Sequence, residues 1–413
     1  MKFKKPQCKV CKANLIIPFA DLGIAPIANE LIVPEKFNDG ETYYPLNVMV
    51  CGECFLAQLT YSHPSDSIFT NLYPYFSSYS QSWLAHAKEY AEMVIEKYGL
   101  DEGSLVVEIA SNDGYLLKNF KKKNINVLGV EPCKNVADNA IKNHKIPTVV
   151  SFFNENIADG LTKKYGKANL MIANNVLAHV PDMLGFLKGF TKLLKSDGII
   201  TFEFPHLLSL IKKNQFDTIY HEHYSYLSLV GIETAFKKSN LKIFDAQKIL
   251  THGGSLRIYA CHRNSRFFKT NRLVKIFQEE ISYGLKEADT YIGYQNKIIG
   301  VKLKLLIFLI DLKLKKKKIV AYGAAAKGAT LLNYCGIDSD LIEYIVDISP
   351  HKQNKYMPGS RIPIKDPKEI LITKPDYVLI LPWNISEEII AQNLAIRKWG
   401  GKFIVPNPGL KVI

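Results

Sequence analysis

Residues 104–132 read strand, tight turn, helix, strand, and that succession commits the chain to an α/β architecture before anything else is weighed. Leu105–Ile109 is a short apolar β-prone run, and Ala110–Gly114 is small, polar and ends on glycine. Tyr115–Lys122 follows with a helical pattern, and Asn126–Val130 is a second strand running into Glu131-Pro132. This is one βαβ unit with a carboxylate at the tip of each strand, Glu108 and Glu131. The turn admits a ligand to the backbone at a helix N-terminus, and the second carboxylate can accept both hydroxyls of a ribose. The pattern is that of an adenosine-cofactor site.

The glycines narrow the choice of cofactor. A dinucleotide fingerprint needs Gly-x-Gly-x-x-Gly so that the backbone can close on a pyrophosphate. Ala110 and Asn112 stand at the first two positions, and only Gly114 remains. Glu108, inside the strand end, would repel a phosphate but suits a cation. S-adenosylmethionine has no phosphate; its ammonium, sulfonium and ribose match Glu108, Asp113 and Glu131. Ser111, Asn112, Gly114 and Pro132 complete the expected cofactor edge. An empty unit kept only for packing is the weaker reading, because two strand-end carboxylates are poor core material.

At 413 residues the chain has core enough for two or three domains. No stretch reaches the unbroken apolar length of a membrane span, and the most apolar late segment, around Leu303–Leu314, is interrupted by lysines. Met1-Lys-Phe-Lys-Lys-Pro6 has no apolar signal core, and the 7 cysteines include two Cys-x-x-Cys pairs. Both features argue for a reducing cytoplasm, with the thiols reserved for metal rather than a disulfide frame. The net charge is +14, from 53 Lys and Arg against 39 Asp and Glu. That balance fits nucleic acid, an acidic lipid surface or a polyanionic small substrate. The lysines are scattered along helix faces with one run at Lys315–Lys318, so charge alone selects none of the three.

Cys8-Lys-Val-Cys11 and Cys51-Gly-Glu-Cys54 are two knuckles whose thiolates can close one tetrahedral zinc site. No fifth ligand lies nearby, which favours a structural metal. Between them, Leu22–Asn29 is punctuated by Gly and Pro with no helix or strand period, and reads as a cleft-lining or packed loop. Asn71–Ser80 holds four aromatics and three serines ahead of a helix over Trp83–Tyr98, which those serines can cap. Its tyrosines serve equally as interface filler or as function.

Thr148–Val150, Ala168–Ala173, Ile199–Phe204, Lys242–Ala246 and Ser255–Cys261 continue the strands. Helices alternate with the earlier ones and no clear helix separates the last two. This is the layout of a parallel sheet finished by an antiparallel hairpin, a class I methyltransferase domain. Two strand-end loops concentrate chemistry. Asn174-Asn175-Val-Leu-Ala-His179-Val-Pro-Asp182 lies at the carboxyl end of the fourth strand, where open α/β sheets bind ligands; His179 is assigned to the site over a core role. Tyr220-His221-Glu222-His223-Tyr224-Ser-Tyr226 is too rich in ionisable and hydroxyl groups for a core. Methylating carbon requires removing a proton from a carbon made acidic by a carbonyl, and a histidine beside a carboxylate is a suitable base. His-x-His alone supplies too few ligands for zinc. His252-Gly-Gly-Ser255-Leu-Arg257 returns to the same edge, with Arg257 available for an anionic or carbonyl oxygen.

Beyond Thr270 the spacing of Leu273, Ile276, Phe277 and Ile281 predicts long bridging helices. A second strand–turn–helix follows at Lys318–Gly328, with Gly323-Ala-Ala-Ala-Lys327-Gly328 at its turn. Ile342–Val346 ends on Asp347, Tyr377–Leu381 ends at Pro382-Trp383-Asn384, and Phe403–Val405 closes the sheet. By itself this lobe is a weak nucleotide signal, a structural lobe, or an old repeat that lost its cofactor. The expected division is a zinc-binding domain 1–70, a methyltransferase domain 71–268, bridging helices 269–317 and a second Rossmann-like domain 318–413.

These motifs, in this order and across essentially the whole chain, resemble the S-adenosylmethionine-dependent nucleotide-sugar C-methyltransferases. The resemblance rests on the four cysteines, Tyr75–Ser80, Glu108–Gly114, Asn175–Asp182, Tyr220–His223, His252–Arg257 and Gly323–Gly328. It implies methylation at C3 of a nucleoside-diphosphate 4-keto-deoxysugar through an enolate, for surface polysaccharide or natural-product glycosylation. Deoxythymidine is the usual nucleoside, with guanosine and cytidine as the alternatives. It further implies that His223 is the base, positioned or shared by Tyr220 and Glu222, that His179 faces the enolate oxygen, and that Tyr75 is an aromatic wall or hydroxyl donor. The nucleotide sugar would be gripped by Tyr79, His252, Ser255, Arg257, Lys327, Lys355, Arg361 and Asn384, with Lys327 and the stretch Lys352–Arg361 near the diphosphate.

The competing readings are a nucleic-acid methyltransferase, which would show a basic–aromatic stripe that the lysines do not form, and an epimerase using the same base. The expected partners are therefore a nucleotide sugar, S-adenosylmethionine and zinc, with no nucleic acid or membrane and no demand for more than a monomer.

Overall fold

The computed structural model describes residues 6–70 and 75–413. The first four residues of the aromatic stretch, Asn71–Pro74, and Met1–Lys5 lie outside the described residues. The described residues form three sheets. The central one runs, edge to edge, Leu241–Ile249, Ser255–His262, Leu194–Pro205, Ala168–Asn174, Leu105–Ile109, Asn126–Val130 and Thr148–Val149. The last five are mutually parallel, and Ser255–His262 pairs antiparallel with both its neighbours. Parallel strands buried on both faces carry near-continuous apolar runs, as Val106, Val107, Leu170, Met171, Ile172 and Ile200 do. The expected parallel sheet with an antiparallel hairpin is what forms.

The N-terminal sheet is antiparallel, in the order Leu15–Ala25, Tyr44–Cys51, Ala57–Leu59, Ser225–Tyr226. Two expectations change here. Leu22–Ala25 is the end of a strand, its irregular pattern explained by register shifts such as the one between Asp21 and Ile24. The fourth strand comes from residues distant in sequence, the last two of the Tyr220–Tyr226 stretch that by sequence alone reads as a loop.

The C-terminal sheet runs Ile364–Lys365, Ile345–Val346, Ile319–Tyr322, Tyr377–Ile380, Lys402–Val405, Lys411–Val412. Its edge is therefore closed by the antiparallel Lys411–Val412 and not by Phe403–Val405. Helices Asn271–Tyr283, Ala288–Ile292 and Tyr294–Leu314 bridge the two lobes. One apolar cluster joins the N-terminal sheet, the bridging helices and the C-terminal sheet through Phe19, Tyr291, Tyr294, Leu305 and Ile345. Among the described residues no helix is long and apolar enough to cross a membrane.

The helix expected at Trp83–Tyr98 spans Gln81–Tyr98; Ser80 caps it by accepting the Trp83 amide, and Gly99 ends it in the left-handed conformation. That cap fixes where the aromatic segment meets the carboxyl ends of the parallel strands.

Candidate active site

A cavity of ≈ 590 Å³ opens there. Its walls come from the strand tips (Glu131, Asn174, Asn175), the aromatic segment (Tyr75, Tyr79, Trp83), the loop Thr218–His223, and the first turns of the C-terminal lobe (Gly323, Lys327, Lys352, Asn384).

On the first side Glu131 is clamped. Its Oε2 accepts the Asn112 amide at 3.0 Å and its Oε1 the Cys133 amide at 2.9 Å, which leaves each oxygen a further lone pair for a hydroxyl. Burial pushes its pKa up to about 6 against the pull of those two amides. The C-terminal lobe repeats the device: Asp347 accepts the Ala324 amide and the Ser349 amide, both at 2.8 Å. In both units the acid at the second strand tip ties the first turn to its own i+2 amide. Ala110 (φ 56°) and Asn112 (φ 50°) are left-handed, a conformation that costs an alanine roughly 1–2 kcal/mol. The turn thus keeps a shape that glycine favours without the glycines. Gly114 serves packing, because a Cβ there would lie 3.2 Å from that of Ala140.

Asn112, Glu131, Pro132, Asn174 and Asn175 line the cavity, whereas Glu108, Ser111, Asp113 and Gly114 stand outside its lining. Both carboxyl oxygens of Glu108, Oδ1 of Asp113, and the side-chain carbonyls of Asn174 and Asn175 are buried without a partner. Burial, then the charges of Asp113 and Glu131, pushes the Glu108 pKa well up. A surplus of orphaned acceptors around this edge fits a ligand that brings an ammonium, hydroxyls and a cationic sulfur. S-adenosylmethionine fits these residues.

On the second side, His223 Nδ1–H donates to the Thr218 carbonyl at 2.8 Å, so Nε2 carries the lone pair and accepts the Tyr220 hydroxyl at 2.8 Å. Burial, then neighbouring His179, holds the His223 pKa well below 6.5. His179 packs edge-on at 4.6 Å between ring centres. It gives one ring nitrogen to the Glu222 backbone, is lowered to about 4 by burial, and has its Nδ1 buried without a partner. Two neutral imidazoles and a tyrosine therefore face one space, a proton-accepting cluster. Glu222 lines the cavity and accepts Asn29 Nδ2 at 2.6 Å. His221 turns away, onto the Tyr44 carbonyl.

The loop is held by the metal module. Ser225 and Tyr226 pair with Gln58 and Ala57, the Leu59 amide donates to the Tyr224 carbonyl, and the Tyr224 hydroxyl donates to that of His63 at 2.6 Å. Directly beside that pairing, where Gln58 Nε2 donates to Cys8 Sγ at 3.3 Å, Cys8, Cys11, Cys51 and Cys54 bring four Sγ atoms within 4.8 Å of one another. Zn–S bonds of about 2.3 Å in a tetrahedron suit that spacing. Amides of Val10, Cys11 and Glu53 point at the sulfurs, as thiolates require.

Of the residues expected to grip the substrate, Tyr79, His252, Lys327 and Asn384 line the cavity; Ser255, Arg257, Lys355 and Arg361 do not. Arg257 is opposite Glu203 in the antiparallel ladder, pairs with it (Nε to Oε1, 2.6 Å), and lies over Tyr90; its charge is spent inside the fold. Arg361 binds the Phe37 and Asp39 carbonyls and Glu41, tying the N-terminal module to the C-terminal lobe. Ser255 donates to Thr251, and the Lys355 carbonyl accepts the Ile364 amide. The glycines after His252 meet protein, not ligand: a Cβ on Gly253 would lie 2.5 Å from Trp383. Trp83, Lys352, Asn29 and Thr218 line the cavity without having been singled out. Two of them had a sequence signal: Lys352 starts the basic stretch Lys352–Arg361, and Asn29 ends the Leu22–Asn29 stretch read as a cleft-lining or packed loop.

Comparison with known proteins bears on each part. Residues 8–69 match the family described as a putative zinc binding domain, 83–246 a methyltransferase domain, and 250–408 a C-methyltransferase C-terminal domain. C-methyltransferase NovU of Streptomyces niveus is 34% identical over 407 residues, covering 98% of this chain and 96% of that protein. Among solved structures, an S-adenosylmethionine-dependent methyltransferase from Clostridium acetobutylicum aligns over 43% of this chain and 92% of its own, at 12% identity and a TM-score of 0.35. Magnesium protoporphyrin IX methyltransferase from Synechocystis aligns over 43% and 83%, at 13% identity and 0.34. Likeness at that level says nothing about the reaction.

Proposed function

This chain belongs to the C-methyltransferase family and is an S-adenosylmethionine-dependent C-methyltransferase with a zinc-binding N-terminal module; we propose that its acceptor is a nucleoside-diphosphate 4-keto-deoxysugar, methylated at C3. The observation that carries this reading is the Tyr220–His223 pair, which meets the cofactor edge and the C-terminal lobe in one cavity. A carbon beside a ketone is acidic enough for a positioned base of this kind to act on.

When bound, S-adenosylmethionine supplies an electrophilic methyl on sulfur. Glu131 orients its ribose, and the unpartnered side-chain carbonyls of Asn174 and Asn175 on the cavity wall are left for its ammonium. The Tyr220 hydroxyl rests on His223 Nε2, and in this proposal the C3 proton passes to its oxygen as its own proton passes to Nε2. Glu222 and Asn29 shape the wall beside it, and Tyr75 and Tyr79 flank the opening. Holding the two reactants face to face removes much of the entropic barrier. Lys352 is assigned to the nucleotide. The segments 1–70, 71–268, 269–317 and 318–413 are the working units of this proposal, with Ser225–Tyr226 lent to the first.

The test is incubation of the zinc-loaded protein with S-adenosylmethionine and the 4-keto-2,6-dideoxyhexoses of deoxythymidine, guanosine and cytidine diphosphates. Gain of one methyl by mass, located at C3 by NMR, is expected for the deoxythymidine sugar. Proton exchange at C3 without methyl gain would assign an epimerase instead.

A further inference from the structure

Loss of the C3 proton leaves a negative charge on the ketone oxygen, and something in the cavity must answer it. The imidazoles bring it no positive charge. Burial holds His223, His179 and His252 below 6.5, and the His223 Nε2 lone pair is already taken by the Tyr220 hydroxyl. Both arginines expected near the substrate are committed to Glu203 and Glu41. Among the described residues lining the cavity, the only lysines are Lys327 and Lys352. Lys352 already has an anion, Asp347 at 3.5 Å, and donates to the Ala324 carbonyl at 2.8 Å.

Lys327 is placed differently. Its Nζ donates to Asn384 Oδ1 at 2.6 Å and lies 4.8 Å from the centre of the Trp383 ring, with no ion pair among the described residues. An ammonium has three donors, so donors remain. The matching carboxylate is held back: Asp217, fully buried, accepts Trp383 Nε1 at 2.5 Å and Asn407 Nδ2 at 2.9 Å. The Lys327 charge is felt by His223 and His252 on one side and Asp217 on the other. The Trp383 ring is fixed from below by Gly253, where no side chain would fit.

We propose that Lys327 is a catalytic residue, its ammonium binding the ketone oxygen and stabilising the enolate, with Asp217 as a positioning residue acting through Trp383. The inference rests on the functional reading above. In the step, the C3–H bond breaks and its proton goes by way of Tyr220 to His223 Nε2. The electron pair moves onto the oxygen beside Lys327, then returns to form the new C–C bond to the methyl as the bond from that methyl to sulfur breaks, its pair staying on sulfur and S-adenosylhomocysteine leaving. The lysine keeps its protons throughout. Preorganised charge at a developing oxyanion is commonly the largest catalytic contribution.

The experiment uses the full-length zinc-loaded protein and reads two quantities. The first is deuterium wash-in at C3 with S-adenosylhomocysteine present, alongside kcat and KM for methylation. The second is the Kd of deoxythymidine diphosphate alone. Lys327→Met is expected to lower wash-in and kcat about 10²–10³-fold and to leave the diphosphate Kd within about twofold. Lys327→Arg should recover part of the loss. Asp217→Asn should lower kcat by less, with no further loss when combined with Lys327→Met. If Lys327→Met melts early, Lys327→Gln gives the same reading. Weakened diphosphate binding with kcat unchanged would overturn the proposal and make Lys327 a phosphate ligand. Wild-type protein that neither exchanges nor methylates refutes the functional reading; active wild type with an unimpaired variant refutes Lys327 alone.

Discussion

The relay at the centre of this site makes opposite predictions for one small change, Tyr220→Phe. His223 Nε2 has its lone pair capped by the tyrosine hydroxyl at 2.8 Å, while Nδ1–H is fixed on Thr218. Were His223 the direct base, losing the hydroxyl would uncap Nε2 and hold or raise the rate. If the hydroxyl is the atom that meets the C–H, the phenylalanine variant loses the general base altogether. General acid–base catalysis contributes about 10²–10⁴-fold, or about 3–5 kcal/mol at 1.36 kcal/mol per decade. The geometry favours the second outcome: Tyr220→Phe should fall by that factor in C3 deuterium wash-in, His223→Ala by a similar one, and the double variant by little more than either. Because burial and His179 hold the imidazole well below 6.5, it is neutral at pH 7, and the acid limb of wild-type kcat should lie below that value. Wash-in followed by NMR isolates proton removal from methyl transfer, and S-adenosylmethionine affinity by calorimetry should be unchanged in all three variants. A Tyr220→Phe enzyme that exchanges at the wild-type rate, or losses that multiply in the double variant, would refute the relay.

Glu131, with a pKa of about 6, should bind ribose hydroxyls best when ionised, so S-adenosylmethionine affinity should weaken as pH falls through 6; Glu131→Gln should remove that dependence and cost roughly 1.5–3 kcal/mol, both read by calorimetry across pH. Because Ser225–Tyr226 pairs with the strand leading from the cysteine knuckles, stripping zinc with a chelator, or Cys51→Ser, should deprotect the Ser225 and Tyr226 amides in hydrogen exchange and abolish turnover while the central sheet stays protected. Glu280, buried and accepting the Leu229 and Val230 amides and His206 Nε2 within 2.9 Å, ties the first bridging helix to the central domain. Glu280→Ala leaves those donors unpaired and should cost about 3–5 kcal/mol in denaturant unfolding, whereas Glu280→Gln should cost much less. Gly253→Ala, at φ +87° and 2.5 Å from Trp383, should lower kcat by displacing the indole under Lys327.

Much of this was legible because it is local. A strand, a turn and a helix within residues 104–132 need only neighbouring side chains to declare themselves, and two Cys-x-x-Cys pairs announce a metal whatever lies between them. The Ser80 cap and the antiparallel hairpin at the end of the central sheet were readable for the same reason. Errors gathered where a charge had to choose a distant partner. Arg257 looked free because Glu203 is 54 positions away and meets it only across a ladder. Arg361 looked like a diphosphate ligand because Glu41 is 320 positions away.

The sequence by itself determined which chemistries the chain could hold: an adenosine site without pyrophosphate glycines, a four-thiolate metal, and a histidine–tyrosine loop. Tertiary structure alone decided which of those groups face one another. It set the histidine tautomers through the carbonyls they meet, spent two arginines on internal carboxylates, and left one lysine beside the imidazoles with its counter-charge behind an indole. Residue type and spacing travel with the local chain, whereas protonation, tautomer and electrostatic partner depend on burial and on atoms brought from hundreds of residues away.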